Sequence, residues 1–167
     1  KPDYELVLRK ILSKEFFSKF DFLILDCPPG LDSININAIA SADLAILPVV
    51  CDILSLQTLG NMFRLVKLAR DRANPHLSYR LLINKVNPAL PLQEKIYRQI
   101  MSHYKTAVLN TAISEDDSIP ESQMEGAPHL TDKPESQAAQ QFLALVDEIL
   151  SFDEIKEIKQ QIKKVKT

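Results

Sequence analysis

Glycine and cysteine are both scarce in this chain of 167 residues, and each scarcity excludes a class of structure. The two cysteines, Cys27 and Cys51, are too few for a disulfide framework, so a reducing compartment is the expected location. The three glycines, Gly30, Gly60 and Gly126, stand alone in the sequence. Without consecutive glycines at the start of a helix, the chain has no nest of backbone N–H groups to cradle a phosphate.

Long apolar runs and a strong excess of one charge are also missing. No apolar stretch approaches the roughly 20 residues that span a bilayer, and the first residues have no apolar signal-peptide core. The formal net charge of −2 argues against a uniformly basic nucleic-acid binder. The remaining composition, 46% hydrophobic and 25% charged, is typical of one soluble globular domain.

Short apolar runs alternate along the chain with stretches of helical spacing. The apolar runs predict strands over residues 22–25, 44–50, 79–83 and 107–113. The helical spacing predicts helices over residues 6–17, 33–42, 55–73, 92–104 and 135–150. A loop rich in Ser, Asp, Glu and Pro, with room for one helical turn, is expected over residues 114–134. The alternation predicts an α/β fold with a parallel sheet flanked by helices.

Asp26 is the first candidate site residue, because it directly follows the apolar run at residues 22–25. An acid at that place lies at the carboxyl edge of the predicted sheet, where a Mg²⁺ ion beside a nucleotide can be held. One or two carboxylates suffice for this ion, since waters and phosphate oxygens complete its ligands. An apolar run followed by an aspartate is a common pattern, however. On that pattern alone, a strand end that starts the Pro28-Pro29 turn is the better explanation.

The residues that follow change this balance, because a long set of them keeps register with one family. They are Asp26, Pro28, Pro29, Gly30, Asn37, Ala38, Ala42, Asp43, Ile46, Pro48, Val49, Cys51, Ser55, Leu56 and Leu59, then Ile113, Glu121, Gly126, Pro128 and Ser136. As a set they resemble the ParA and Soj partition ATPases, a branch of the deviant-Walker-A P-loop ATPases that also includes MinD. The resemblance extends over most of the chain.

The resemblance implies a P-loop NTPase-like domain over residues 1–150, here lacking the P-loop strand, and a basic helical tail over residues 151–167. It also implies a protein that binds ATP and Mg²⁺, forms a homodimer around two nucleotides and binds DNA nonspecifically in the ATP state. A centromere-binding ParB-like protein would stimulate hydrolysis. The protein would be cytoplasmic and nucleoid-associated, and membrane association is not expected.

The same resemblance assigns the candidate site residues. Asp26 would be the Walker B acid, the catalytic carboxylate that holds Mg²⁺ through water. Asn84, at the end of the third predicted strand, would offer adenine a donor and an acceptor, although a turn-forming asparagine explains this position equally well. The backbone around Ile113, Ser114 and Glu115 would wall the adenine pocket.

Three departures from the family pattern carry their own expectations. The glycine-rich loop with its two lysines is absent, so the chain alone is not expected to bind or hydrolyse ATP. The missing P-loop strand would leave an open sheet edge, which we expect an N-terminal segment of the parent protein to cover. Another subunit that fills the gap, a rearranged sheet, and strand exchange between copies are the alternatives. Ser114 and Glu115 replace the Pro-Arg pair of many partition proteins, which weakens a DNA contact there and is more like MinD. Gly30 replaces the usual serine.

Two alternatives stay open beside a partition ATPase. The first is a non-catalytic interaction module that keeps the fold but has lost the nucleotide site. The second is a MinD-like membrane-associated ATPase that uses the lysine-rich tail. This tail, residues 153–167, places an apolar seam of Ile155, Ile158, Ile162 and Val165 on a basic helix. A solvated extension of the last helix explains the tail better than a coiled coil does.

Overall fold

The computed structural model of the chain describes residues 6–28, 30, 32–152 and 155. The helices are α1 (Val7–Leu12), α2 (Ser33–Ser41), α3 (Ile53–Arg72), α4 (Pro91–Tyr104), α5 (Ser118–Met124), α6 (His129–Asp132) and α7 (Gln137–Ser151), with a 3₁₀ helix at Glu15–Lys19. The strands are β1 (Leu44–Val50) and β2 (Ser78–Asn84). The chain divides into two compact units, unit 1 (Lys1–Ala45 and Thr58–Tyr79) and unit 2 (Ile46–Gln57 and Arg80–Thr167).

The predicted α/β fold is confirmed, with a parallel sheet flanked by helices. β1 and β2 are hydrogen-bonded neighbours. Residues 107–115 continue the sheet beside β2 through parallel bridges at Val108 and Ser114. These residues form separate bridges rather than the continuous fourth strand predicted at 107–113. The reason lies in the middle of the segment, where the N–H groups of Asn110 and Thr111 donate to the Glu148 carboxylate instead of to a strand.

The strand predicted at residues 22–25 is not formed, and this prediction is wrong. Residues 22–28 have neither helix nor strand structure, and Ile24 is 94% exposed where the sequence predicted burial on both faces. A buried parallel strand requires neighbouring strands for its backbone and cover for its two faces. Within the described part of the chain, no strand pairs with this segment.

The other elements lie close to their predicted positions, with one addition. β1, β2, α2, α3, α4 and α7 begin and end within two residues of the predictions. The predicted first helix is shorter, because α1 ends at Leu12 and a separate 3₁₀ helix follows it. The loop predicted at 114–134 contains both α5 and α6 rather than one turn. These helices are only seven and four residues long and bury few apolar side chains, so hydrophobic periodicity does not reveal them.

The hydrophobic core of unit 2 brings the sheet and α7 together. Its buried residues are Leu82, Leu109, Ile113 and Leu145, with Ile46, Phe142, Ile149 and Phe152 packed against them. Ser136 directly precedes α7, and its side chain accepts the Ala139 N–H at 3.0 Å and so caps the helix. The helix is therefore fixed both by its apolar face and by its first turn.

Most of the predicted basic tail lies outside the described residues. Of residues 151–167 the structure describes Ser151, Phe152 and Ile155, so the tail and its boundary at residue 150 stay predictions. Among the helices that the structure describes, none has the length and apolar character needed to cross a bilayer.

Candidate functional site

Asp26 lies in the exposed segment of unit 1 that precedes α2. Its carboxylate makes no hydrogen bond or ion pair with another described residue, so it is available to a ligand from solvent. The turn after it is tied to α2 by Asn35, whose Nδ2 donates to the carbonyl oxygens of Pro28 and Gly30, both at 2.8 Å. Asp32 caps the same helix by accepting the Asn35 N–H at 2.9 Å. The chain leaving Asp26 is therefore anchored, although Asp26 itself is exposed.

Asn35 carries an unusual feature beneath this turn. Asn35 is only 3% exposed, and its Oδ1 accepts no hydrogen bond from the described residues. A buried acceptor without a partner costs on the order of 1–3 kcal/mol. The Asn35 side chain therefore acts through its amide nitrogen, which holds the chain after Asp26 against α2.

Cys27 is not a candidate nucleophile, although it is exposed beside Asp26. Partial burial and the neighbouring carboxylates of Asp26 and Asp32 raise the pKa of its thiol. The reactive form of cysteine is the thiolate, so this environment disfavours it.

The segment with Asp26 also forms one wall of an open groove in unit 1, of about 640 Å³. The other walls come from Val7, Leu8 and Ile11 of α1 and from Ser33, Ile34, Asn37 and Ala38 of α2. α1 is joined to α2 where the Leu8 N–H donates to Asn37 Oδ1 at 3.3 Å. The lining is mostly apolar, which suits a protein segment better than a phosphate group.

Asn84, Ile113, Ser114 and Glu115 come together in unit 2, at the carboxyl end of β2. The Ile113 N–H donates to the Ile83 carbonyl at 2.9 Å, and the Val86 N–H donates to the Ile113 carbonyl at 3.0 Å. The two partners of Ile113, Ile83 and Val86, lie on either side of Asn84 in the sequence. The bonds therefore bring Asn84 beside the loop at residues 113–115. The Asn84 side chain is half-buried and has no hydrogen-bond partner among the described residues.

The carboxyl end of β2 is shaped further by the backbone conformation of Lys85 and by the contacts of Glu115. Lys85 adopts φ of 52°, the only positive φ of a non-glycine residue within the described residues. The Glu115 N–H donates to the Val86 carbonyl at 3.1 Å, and its carboxylate accepts from Asn87 Nδ2 at 3.3 Å. The two loops at the strand ends are therefore joined to each other.

Sequence reasoning missed the residues of α7 that hold this loop. Gln137, Gln141 and Glu148 lie on one face of the helix, at spacings of four and seven residues. Gln141 Oε1 accepts the Ser114 N–H at 2.8 Å, and Glu148 accepts the N–H groups of Asn110 and Thr111 at 2.7 and 2.8 Å. Polar residues at helical spacing within an otherwise apolar helix are the signal that could have revealed them.

A Ser-His-Asp arrangement occurs beside the site but does not have the exposure of a catalytic triad. The Ser122 hydroxyl lies 2.6 Å from Asp132 Oδ2 and 3.2 Å from His129 Nδ1, and His129 Nε2 lies 2.9 Å from Ser136 Oγ. Ser122 is completely buried. Because no substrate can reach this hydroxyl, the network serves to fasten α5 and α6 to the start of α7.

Comparison with known proteins gives one family model and several relatives that are similar to this chain. Residues 1–79 match the sequence model of a family described as AAA domain. The chromosome-partitioning ATPase Soj of Treponema pallidum is 27% identical over 152 residues, covering 90% of this chain and 60% of that protein. The sporulation initiation inhibitor protein Soj of Bacillus subtilis is 26% identical, covering 78% of this chain and 52% of that protein. Both relatives are Soj proteins, so these similarities support the resemblance to the ParA and Soj ATPases that the sequence shows.

The chain spans about half the length of the curated relatives it matches. Its fold is shared with the crystal structure of cobyrinic acid a,c-diamide synthase from Mycobacterium smegmatis with bound ADP and magnesium. The TM-score is 0.63 at 21% identity, covering 75% of this chain and 56% of that chain. At this identity the likeness concerns the P-loop NTPase-like fold alone.

Proposed function

We propose that this chain contributes the magnesium-binding carboxylate and the base-binding loops of a ParA/Soj-type ATPase that acts in plasmid or chromosome partition. The observation that carries the proposal is the meeting of Asn84 with residues 113–115 at the carboxyl end of β2. In open α/β sheets, ligands bind outside the carboxyl ends of the strands. The Soj relatives support the partition function, since one of them is a chromosome-partitioning ATPase by name.

The residues around Asp26 fit a magnesium ion held through water. Asp26 is exposed and unpaired within the described residues, and one carboxylate suffices for an ion whose other ligands are waters and phosphate oxygens. When bound beside a nucleotide, Mg²⁺ neutralises charge that develops on the phosphate oxygens. Asp26 would hold the waters around the ion, and the Pro28 and Gly30 carbonyls anchored by Asn35 would keep the segment in place.

Asn84 and the loop at 113–115 would bind the base. An asparagine side chain presents one donor and one acceptor, the pattern that matches the N6 and N7 edge of adenine. The Ile113 backbone is fixed on both sides by bonds to Ile83 and Val86, so the wall beside the base would be rigid before the nucleotide arrives. Catalysis of phosphoryl transfer depends on such positioning.

The phosphate groups need a loop that these 167 residues do not contain. We propose that the parent protein supplies it on a strand that pairs with residues 22–25, whose apolar side chains are exposed in this structure. Pairing would give this segment the burial that its sequence predicts. The parent would then form an ATP-dependent homodimer, bind DNA nonspecifically, respond to a ParB-like protein and work in the cytoplasm at the nucleoid.

The test uses the product of the whole reading frame that encodes this chain. Asp26→Ala should reduce Mg²⁺-dependent ATP hydrolysis by at least about 100-fold, because charge neutralisation at the phosphates is lost. Asp21→Ala, at another exposed acid of the same segment, should leave the rate unchanged. Normal hydrolysis by the Asp26 variant would overturn the assignment. A wild-type product that binds no nucleotide would favour the interaction module instead.

A further inference from the structure

The hydroxyl group of Ser114 is held by two amide side chains of α7. Gln141 Nε2 donates to Ser114 Oγ at 2.9 Å, and Gln137 Nε2 donates to the same oxygen at 3.2 Å. A serine hydroxyl has two acceptor lone pairs and one proton. With the Gln137 amide in this orientation both lone pairs are occupied, and the proton has no acceptor among the described residues.

The orientation of the Gln141 amide is fixed by its other contact. Gln141 Oε1 accepts the Ser114 N–H at 2.8 Å, and a backbone N–H can only donate. The amide nitrogen must then be the atom that faces Ser114 Oγ, which settles the ambiguity between oxygen and nitrogen in a glutamine side chain. One side chain thus fixes both the backbone and the hydroxyl of Ser114.

We infer that Gln141 is a positioning residue of the base site, which keeps the Ser114 hydroxyl as a hydrogen-bond donor toward the nucleotide base. Ser114 follows Ile113 at the strand edge where Asn84 also has a free side chain. A purine ring carries several nitrogen acceptors that a hydroxyl donor can meet. The inference rests on the proposed function, because it assigns a role within the same nucleotide site.

Gln141→Glu, which replaces the amide nitrogen by an oxygen, tests whether the Ser114 hydroxyl acts as a donor toward the base. In Gln141→Glu the carboxylate still accepts the Ser114 N–H, so the loop stays anchored, but it also accepts the Ser114 hydroxyl proton. The donor toward the base is then lost, as it is in Ser114→Ala. We expect both variants of the whole reading-frame product to bind ATP about 10-fold more weakly, the effect of one hydrogen bond.

Two controls separate this effect from charge and from misfolding. Gln140→Glu adds the same charge to an exposed neighbour on α7 and should bind ATP as the wild type does. Inorganic tripolyphosphate, which has no base, should bind Gln141→Glu and the wild type equally. Hydrogen exchange at the Ser114 amide should remain slow in Gln141→Glu and become faster in Gln141→Ala, which loses the anchor.

The outcomes distinguish this inference from the proposed function. Unchanged ATP affinity in Gln141→Glu would overturn the inference and leave the proposed function standing. Equal weakening of ATP and tripolyphosphate would also overturn it, because the effect would then be one of charge. No ATP binding by the wild-type product would overturn the proposed function and the inference together.

Discussion

Glu148 of α7 binds Asn110 through both the backbone and the side chain of that residue. Its Oε1 accepts the Asn110 N–H at 2.7 Å and Asn110 Nδ2 at 3.1 Å, while Oε2 accepts the Thr111 N–H at 2.8 Å. This carboxylate takes the place of the strand partner that residues 110 and 111 lack. It is therefore one of the contacts that connect α7 to residues 107–115, beside the Gln137 and Gln141 contacts with Ser114.

Glu148→Gln should destabilise the protein, because the hydrogen bonds of a carboxylate are stronger than those of an amide and one amide position cannot accept. The expected loss is about 1–3 kcal/mol in the free energy of unfolding, measured by urea denaturation at pH 7. Asp147→Ala, at an exposed acid on the next position of the helix, should change stability by less than about 0.5 kcal/mol. Equal stability of Glu148→Gln and the wild type would contradict the role given to Glu148.

The same contact predicts a pH dependence. Burial raises the pKa of Glu148, but the hydrogen bonds from Asn110 and Thr111 outweigh it and hold the pKa below the ordinary value of 4.5. A lowered pKa in the folded state means that the stabilisation is complete above pH 4.5 and disappears as the pH falls through the folded-state value. The stability difference between the wild type and Glu148→Gln should therefore shrink below pH 4.5. A difference that stays constant down to pH 2 would be evidence against this linkage.

Gly60→Ala should stabilise the protein by about 0.5–1 kcal/mol. Gly60 is exposed in the middle of α3, and an added Cβ would meet no atom within 4 Å. Gly126 provides the contrast, since it has equally open space but a φ of 69°. Gly126→Ala should destabilise the protein by about 1 kcal/mol in thermal unfolding, because a left-handed conformation disfavours alanine. The prediction fails if both variants shift the melting temperature in the same direction.

Lys85→Gly tests whether the turn after Asn84 stores strain. Lys85 adopts a left-handed φ of 52°, which costs a non-glycine residue about 1 kcal/mol, so glycine should raise the melting temperature or leave it unchanged. Lys95→Gly, at an exposed position within α4, should lower the melting temperature by the usual cost of glycine in a helix. If both variants lose stability equally, the backbone at Lys85 is not strained.

Ser122→Ala tests whether the buried Ser-His-Asp network is structural. Removal of the hydroxyl leaves Asp132 and His129 without their shared partner, so unfolding should become easier by about 1–3 kcal/mol. ATP hydrolysis by the folded variant should be unchanged when measured well below its melting temperature. Ser102→Ala, at an exposed serine of α4, serves as the control for stability. Loss of hydrolysis without loss of stability would show that Ser122 has a catalytic role.

Local sequence patterns predicted most of the helices and strands, because the spacing of apolar residues reflects which face of each element is buried. β1 and β2 combine strand-length apolar runs with real partners in the sheet, and α7 combines helical spacing with a serine cap at Ser136. The strand predicted at residues 22–25 has the same composition, but composition cannot supply a neighbour. Strand formation depends on pairing with a distant segment, which a local pattern does not contain.

The candidate site was predictable only in part. The family pattern pointed to Asn84, Ile113, Ser114 and Glu115, and the structure brings these residues together at one strand edge. It could not point to Gln141 or Glu148, because their role depends on which turn of α7 faces the loop. That register is set by tertiary packing of Leu145 and its neighbours in the core.

Photoaffinity labelling with 8-azido-ATP tests the central claim most directly, because the reactive group sits on the base. In the whole reading-frame product with Mg²⁺, we expect the label on the peptides that contain Asn84 or Ser114, and we expect excess ATP to prevent it. Labelling confined to other peptides, or labelling that ATP does not displace, would contradict a base site at the carboxyl end of β2.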